Sequence, residues 1–218
     1  FSKDPHFPVK EANIRKIFKS FKDKVVILDA EMRKELDELA LRYKDYFVLG
    51  GASGWLKSLI PYWFKVKKKN LKLKIKDSPL IISGTKNEKT FKQIEYFRRR
   101  KNIGVWKINP ENGRIKKEKE DPCLIYLERS PETRPHIAMK NLIKAIKSII
   151  KKRKNLIICG GETSYNVLKI LKIDRLNLKG SIEEGIAILS YKNYNFILKP
   201  GGFGKIDLIL RCYNVLGE

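Results

Sequence analysis

The stretch Leu156-Ile157-Ile158-Cys159-Gly160-Gly161-Glu162-Thr163-Ser164 decides how the rest of the chain is read. Its first four residues form an apolar run of the length and composition of a buried strand. Two glycines follow. Tyr165 to Leu171 then carries Val167, Leu168, Ile170 and Leu171 at helical spacing, so the local order is strand, glycine turn, helix. Such a turn has two explanations. Glycine lets the backbone reach φ > 0 in an ordinary strand-to-helix connection, and it also lets a ligand approach the main chain closely. Thr163 or Ser164 is placed to cap the helix, whose first N–H groups carry positive partial charge and suit a phosphate. Glu162 repels an anion there unless a metal ion or a lysine lies between.

Two more turns of this kind lie elsewhere. Pro79-Leu80-Ile81-Ile82 reads as a strand leading into Ser83-Gly84-Thr85-Lys86-Asn87, ahead of a helix from Lys89 to Arg99 with Phe91, Ile94 and Phe97 on one side. Asn195 to Leu198 reads as a strand leading into Lys199-Pro200-Gly201-Gly202-Phe203-Gly204, with a closing helix over Ile206 to Val215. In an open parallel sheet, ligands bind beyond the carboxyl ends of the strands. Tyr46-Phe47-Val48-Leu49 before Gly50-Gly51-Ala52-Ser53-Gly54 has the same form. Neither a P-loop nor a complete dinucleotide fingerprint is present.

The remaining chain fits alternating strands and helices. Val9 to Phe21 shows a helical stripe of Ile14, Ile17, Phe18 and Phe21. Val25 to Leu28 reads as a buried strand ending at Asp29, and Glu31 to Tyr43 as a helix with Met32, Leu36, Leu39 and Ala40 inward. A short helix from Trp55 to Ile60 is expected to stop at Pro61. Ile103 to Ile108 and Leu124 to Leu127 read as strands, Lys116 to Glu120 as a solvated loop, and His136 to Lys152 as one long amphipathic helix. Leu176 to Leu178, Gly185 to Leu189 and Asn195 to Leu198 are short strands, read as antiparallel. The expected fold is a three-layer α/β sandwich with a mostly parallel sheet and antiparallel strands near the C-terminus.

Composition narrows the function less than the turns do. The chain has 218 residues, 42% of them hydrophobic, enough for a packed core. Forty-eight Lys and Arg against 24 Asp and Glu leave a net charge of +24, which points to nucleic acid, an anionic membrane or phosphorylated small molecules, or to a lysine-biased proteome. Tyr62 to Lys76 concentrates that charge, interleaving Trp63 and Phe64 with Lys65, Lys67, Lys68, Lys69, Lys72, Lys74 and Lys76. A nucleic-acid surface, a peripheral membrane segment and a solvated linker all have this pattern. Cys123, Cys159 and Cys212 stand singly and only two histidines, His6 and His136, are present, so no zinc site follows and a reduced, cytoplasmic compartment is expected. No apolar run is long enough to cross a membrane as a helix. An opening Phe in place of Met points to a processed chain or a fragment.

Taken in order, Asp4-Pro5 with Pro8, Gly51-Ala52-Ser53-Gly54, Ser83-Gly84-Thr85-Lys86-Asn87-Glu88-Lys89-Thr90 with Gln93, Gly160-Gly161-Glu162-Thr163-Ser164, Gly180 with Glu184-Gly185, and Lys199 to Gly204 resemble the nucleotide-binding domain of the four-carbon acid sugar kinases. The resemblance covers nearly the whole chain, residues 1–218. It implies an ATP-binding α/β domain, with Mg2+, that forms the C-terminal half of a kinase for threonate- or erythronate-like acids. The separate N-terminal domain, which binds the sugar acid and supplies the catalytic aspartate, is not represented. The nucleotide-binding residues so implied are Ser83, Gly84, Thr85, Asn87, Gly160, Gly161, Glu162, Thr163, Ser164, Lys199, Gly201, Gly202 and Gly204. The family usually has Gly-Ser-x-Ser where this chain has Gly84 to Asn87, and commonly a serine at the position of Pro200. A basic nucleic-acid-binding protein and a degenerate anion-binding domain without turnover are the alternatives, and a homo-oligomer is compatible with all three.

Overall fold

The computed structural model describes residues 9–21, 24–46, 48–65, 77–130 and 132–217. The chain divides into two compact units, Phe1–Lys68 and Lys69–Glu218. Asp4 to Pro8, with His6, and most of the lysine-rich segment, residues 66–76, fall outside the described residues.

In the first unit α1 (Ile14–Ile17), α2 (Arg33–Tyr43) and α3 (Ser53–Trp63) are the helices. Its small core is Ala40, Trp55 and Leu59, with Leu36, Leu39, Tyr43 and Leu49 packed against them. Several expectations fail here. Val25 to Leu28 forms no strand and exposes Val26 and Leu28; Tyr46, Val48 and Leu49 form none either. A strand is stable only with a partner to take its backbone hydrogen bonds, and among the described residues this unit has no sheet. The stripe of Ile14, Ile17, Phe18 and Phe21 is exposed, with a helix of only four residues beneath it, and Met32 points outward. α3 runs through Pro61 to Trp63, because a proline in the last turn forfeits little of the hydrogen-bond ladder. Gly51 is a packing turn: a Cβ there would lie 2.8 Å from the Trp55 ring.

The second unit is built on one eight-stranded sheet. Its strands are β1 (Leu80–Ser83), β2 (Val105–Ile108), β3 (Ile115–Lys117), β4 (Leu124–Leu127), β5 (Asn155–Cys159), β6 (Asn177–Glu183), β7 (Ile186–Tyr191) and β8 (Tyr194–Lys199), in the spatial order β3-β2-β4-β1-β5-β8-β7-β6. β2, β4, β1, β5 and β8 are mutually parallel, while β7 and β6 add an antiparallel meander. The stretch read as a charged loop contributes β3, an antiparallel edge strand whose Lys117 ammonium lies 4.8 Å from the centre of the Trp106 ring. Lysines on an edge strand keep other chains from pairing with it.

The helices are α4 (Glu88–Arg98), α5 (Pro135–Ile146), α6 (Gly161–Leu171) and α7 (Leu208–Gly217). α4 and α7 bury Ile94, Phe97, Leu208, Ile209 and Cys212 on one face of the sheet; α5 and α6 bury Met139, Leu142, Ile146 and Val167 on the other. This is the three-layer α/β arrangement with a mostly parallel sheet. α5 ends at Ile146, short of Lys152, and a 3-10 turn over Ile150–Lys152 tucks Ile150 into the core before the chain enters β5. α6 starts at Gly161, a turn earlier than its apolar periodicity indicates.

The row of residues where the central strands end is fixed by their pairing. Leu80 to Ser83 lie opposite Leu156 to Cys159, and Asn155 to Cys159 opposite Asn195 to Lys199. At the other end of that register, buried Asn155 donates from Nδ2 to the Asp77 carbonyl at 2.6 Å and accepts from Asn195 Nδ2 at 2.8 Å. A one-residue slip would separate these amides and turn every β5 side chain to the wrong face. Asn155→Ala is therefore expected to lower stability by about 1–2 kcal/mol, measured by urea unfolding; a change below about 0.5 kcal/mol would remove this pair from the account of register.

Candidate functional site

Ser83, Cys159 and Lys199 end β1, β5 and β8 side by side, so the three glycine turns leave the sheet as neighbours. β1 and β5 also form a topological switch point. From β1 the chain crosses through α4 toward β2 and one edge of the sheet; from β5 it crosses through α6, on the opposite face, toward β6 and the other edge. Crossovers that diverge from adjacent strands open a crevice at their carboxyl ends.

The turn after β5 is one residue long. Gly160 has φ 106° and ψ 137° and serves as the N-cap of α6, with no side chain capping the helix. Its N–H donates to the Lys199 carbonyl at 2.8 Å, which ties this turn to the next strand. Neither expected capping hydroxyl caps. Ser164 Oγ donates back to the Gly160 carbonyl at 2.8 Å. Thr163 is buried, and a Cβ at Gly84 or Gly160 would come within 2.6 or 3.2 Å of its Oγ1. Among the described residues no acceptor takes the N–H groups of Gly161, Glu162 or Thr163, so the helix presents three donors and its positive end to the crevice. Gly161 has open space around it and Glu162 is exposed.

In the turn after β1, Thr85 Oγ1 accepts the Asn87 N–H at 3.2 Å, and Asn87 Oδ1 accepts the Lys89 N–H at 3.0 Å as the N-cap of α4. Asn87 thus performs a capping role open to serine, threonine or aspartate as well. The Lys86 ammonium donates to the Thr133 carbonyl at 2.7 Å. Thr85 and Asn87 meet the third turn directly: a Cβ at Gly201 would lie 2.7 Å from Thr85 Oγ1 and 3.1 Å from Asn87 Cβ. Ser83 is buried in the strand.

The Lys199 side chain does not face the crevice. It is buried, and its ammonium donates to Thr90 Oγ1 at 2.9 Å, the Pro200 carbonyl at 2.9 Å and the Gly201 carbonyl at 3.1 Å, which accounts for all three of its protons. Burial presses its pKa below the ordinary lysine value. The same low-polarity interior pushes the Cys159 thiol up to about 11 and the Cys212 thiol to about 12, so both stay protonated and unreactive at neutral pH.

Thr90 and Gln93, not counted among the site residues from sequence, complete the arrangement. Thr90 Oγ1 donates to the Gly201 carbonyl at 2.6 Å. Gln93 Nε2 donates to the carbonyls of Phe203, Gly204 and Lys205 at 3.1, 3.2 and 2.7 Å. Both side chains are buried on a helix face that otherwise carries Ile94 and Phe97. Polar residues three apart inside an apolar stripe were the available signal.

A cavity of about 840 Å3 lies elsewhere, along the flank of α4, between Phe91, Arg98, Lys107, Tyr126 and Arg129. Arg98 and Lys107 there are both paired with Glu118 at 2.9 Å, so much of its positive charge is neutralised in place. The glycine turns offer uncommitted backbone donors and are the stronger candidate for an anion site; a phosphate gripped by amides needs no deep cavity. Among the described residues no three His, Cys, Asp or Glu side chains gather as a metal site, and no helix is long and apolar enough to cross a membrane.

A doubly wound domain with glycine turns meeting at the switch point of its sheet belongs to the class of phosphate- and nucleotide-binding α/β domains. Comparison with known families agrees: residues 80–209, more than half of the chain, match the family described as nucleotide-binding C-terminal domain, and the chain belongs to that family. A search of curated proteins returned no match. Among solved structures, a DUF1537 protein of Haemophilus influenzae aligns over 99% of this chain and 66% of its own, at 18% identity and a TM-score of 0.65. A Salmonella typhimurium LT2 protein, provisionally described as a tRNA synthase, aligns over 91% of this chain and 55% of its own, at 16% identity and a TM-score of 0.67. A Bordetella bronchiseptica DUF1537 protein, solved as a domain-swapped dimer with bound citrate, aligns over 99% of this chain and 63% of its own, at 14% identity and a TM-score of 0.52. At these identities the likeness speaks for the fold. The chain spans from about half to two thirds of the length of these proteins.

Proposed function

We propose that this chain is the ATP-binding half of a cytoplasmic kinase that phosphorylates a four-carbon sugar acid of the threonate or erythronate kind, with an N-terminal domain supplying the acceptor site. The observation that carries the reading is the row formed by Ser83, Cys159 and Lys199, from which three glycine turns meet at one switch point. Phosphoryl transfer asks the protein mainly to position the phosphates and balance their charge. The N–H groups of Gly161, Glu162 and Thr163 would hold phosphate oxygens, with those of Gly201, Gly202 and Gly204 facing them across Thr85 and Asn87. Mg2+ arrives on the nucleotide and keeps most of its water; the exposed Glu162 carboxylate would accept from one of those waters, which resolves its conflict with the phosphates. Acceptor activation needs a base within hydrogen-bond reach of the hydroxyl, and that task is assigned to the N-terminal domain. A homodimer is proposed by analogy with the Bordetella protein.

The test has two arms. Mg·ATP at 100 times its Kd should stabilise the chain by about 2.7 kcal/mol, read as a rise in Tm that survives added salt. ADP release with a panel of four-carbon sugar acids should be absent for the isolated chain and restored by the N-terminal domain, fused or in trans. No Tm rise at millimolar ATP, or binding of polynucleotide in preference to ATP with a steep salt dependence, would replace this reading with a nucleic-acid one.

A further inference from the structure

The third turn is held mainly through its carbonyls, while most of its amides are left unbound among the described residues. The carbonyl of Pro200 is taken by Lys199 Nζ, that of Gly201 by both Lys199 Nζ and Thr90 Oγ1, and those of Phe203, Gly204 and Lys205 by the single Nε2 of Gln93. The Phe203 N–H is used within the turn, on the Pro200 carbonyl at 3.3 Å. The N–H groups of Gly201, Gly202 and Gly204 have no acceptor among the described residues. A run of peptides whose carbonyls are fixed on one side directs its free N–H groups toward the other, which makes a concave anion nest.

We propose that Thr90, Gln93 and Lys199 are positioning residues that set the third turn for anion binding without touching the anion. This rests on the nucleotide reading above and extends it, because Lys199 acts from inside the protein and the turn is governed from α4. α4 is capped by Asn87, so one helix fixes the second turn through its N-cap and the third through Thr90 and Gln93. Among the described residues the buried Gln93 Oε1 has no partner, so Gln93 holds the turn at the cost of an unsatisfied acceptor. Its value lies in the two N–H groups of Nε2, which are shared among three carbonyls.

The experiment uses the 218-residue chain and the variants Gln93→Glu, Gln93→Met, Thr90→Val and Thr90→Ser. Gln93→Glu keeps the shape of the side chain but sets an acceptor against three carbonyls; Gln93→Met keeps the volume and loses the donor. Two quantities are read: Mg·ATP affinity by calorimetry, and backbone 15N order of Gly201, Gly202 and Gly204 without ligand. The expected result is a tenfold or greater loss of affinity and reduced order at these glycines in the first three variants, with Thr90→Ser within about threefold of wild type. Should Gln93→Glu fail to fold, Gln93→Met and Thr90→Val carry the comparison. Folded variants with an ordered turn and wild-type affinity would overturn the proposal. A wild-type chain that binds no ATP, but whose turn loses order in the variants, would overturn the nucleotide reading and support the positioning role.

Discussion

Gly161→Val is expected to leave Tm within a few degrees of wild type and to weaken Mg·ATP binding at least about 100-fold, which corresponds to roughly 2.7 kcal/mol. The two halves of this expectation have separate causes. Among the described residues nothing lies within 4 Å of a Cβ at Gly161, and its φ is not in the left-handed region, so the fold has no objection to a side chain. The open space is at the first turn of α6, beside the unused N–H groups of Gly161, Glu162 and Thr163. An isopropyl group there would occupy the volume that a phosphate needs and screen the donors from it. Calorimetry on the folded variant decides the matter. Unchanged affinity would reduce Gly160-Gly161 to an ordinary strand-to-helix connection.

The neighbouring glycine should behave in the opposite manner. Gly160→Ala is expected to lower stability by about 2–3 kcal/mol whether or not a ligand is present, because φ 106° is a conformation that L-residues adopt only under strain. Its Cβ would also press on Thr163 Oγ1 at 3.2 Å and Thr85 Cβ at 3.3 Å. Urea unfolding with an unchanged m value would report the loss. A loss below about 0.5 kcal/mol would mean that the turn relaxes to a conformation open to any residue. The requirement for φ > 0 therefore sits at Gly160, and the space for a ligand at Gly161.

How much of this was legible in the sequence follows from what each signal measures. The runs at Leu80 to Ile82, Leu124 to Leu127 and Leu156 to Cys159 are apolar without interruption because both faces of those strands are buried. Val25 to Leu28 gives the same local signal without a strand, since an apolar run says nothing about whether a partner is available to pair with it. β3 was hidden for the converse reason: Ile115-Lys116-Lys117 is short and charged, and only its pairing with β2 makes it a strand. At the site, the glycines could be found from their position after strands. The inward direction of Lys199 could not, because it depends on Thr90 approaching from a helix more than a hundred residues away in sequence.

The row of Ser83, Cys159 and Lys199 also bears on mechanics. The three strands that end there are joined by their ladders, by the Asn195 to Asn155 amide bond between β8 and β5, and by the packing of helices that return from distant parts of the chain. An anion gripped by turns from β1, β5 and β8 would act as a rivet across the middle of the sheet. Parting β8 from β5 would have to break that grip together with the Gly160 to Lys199 hydrogen bond, so ligand occupancy and the integrity of the central sheet become one cooperative property. The edge strands β3 and β6 lie outside the rivet and would be free to fray without loosening the ligand.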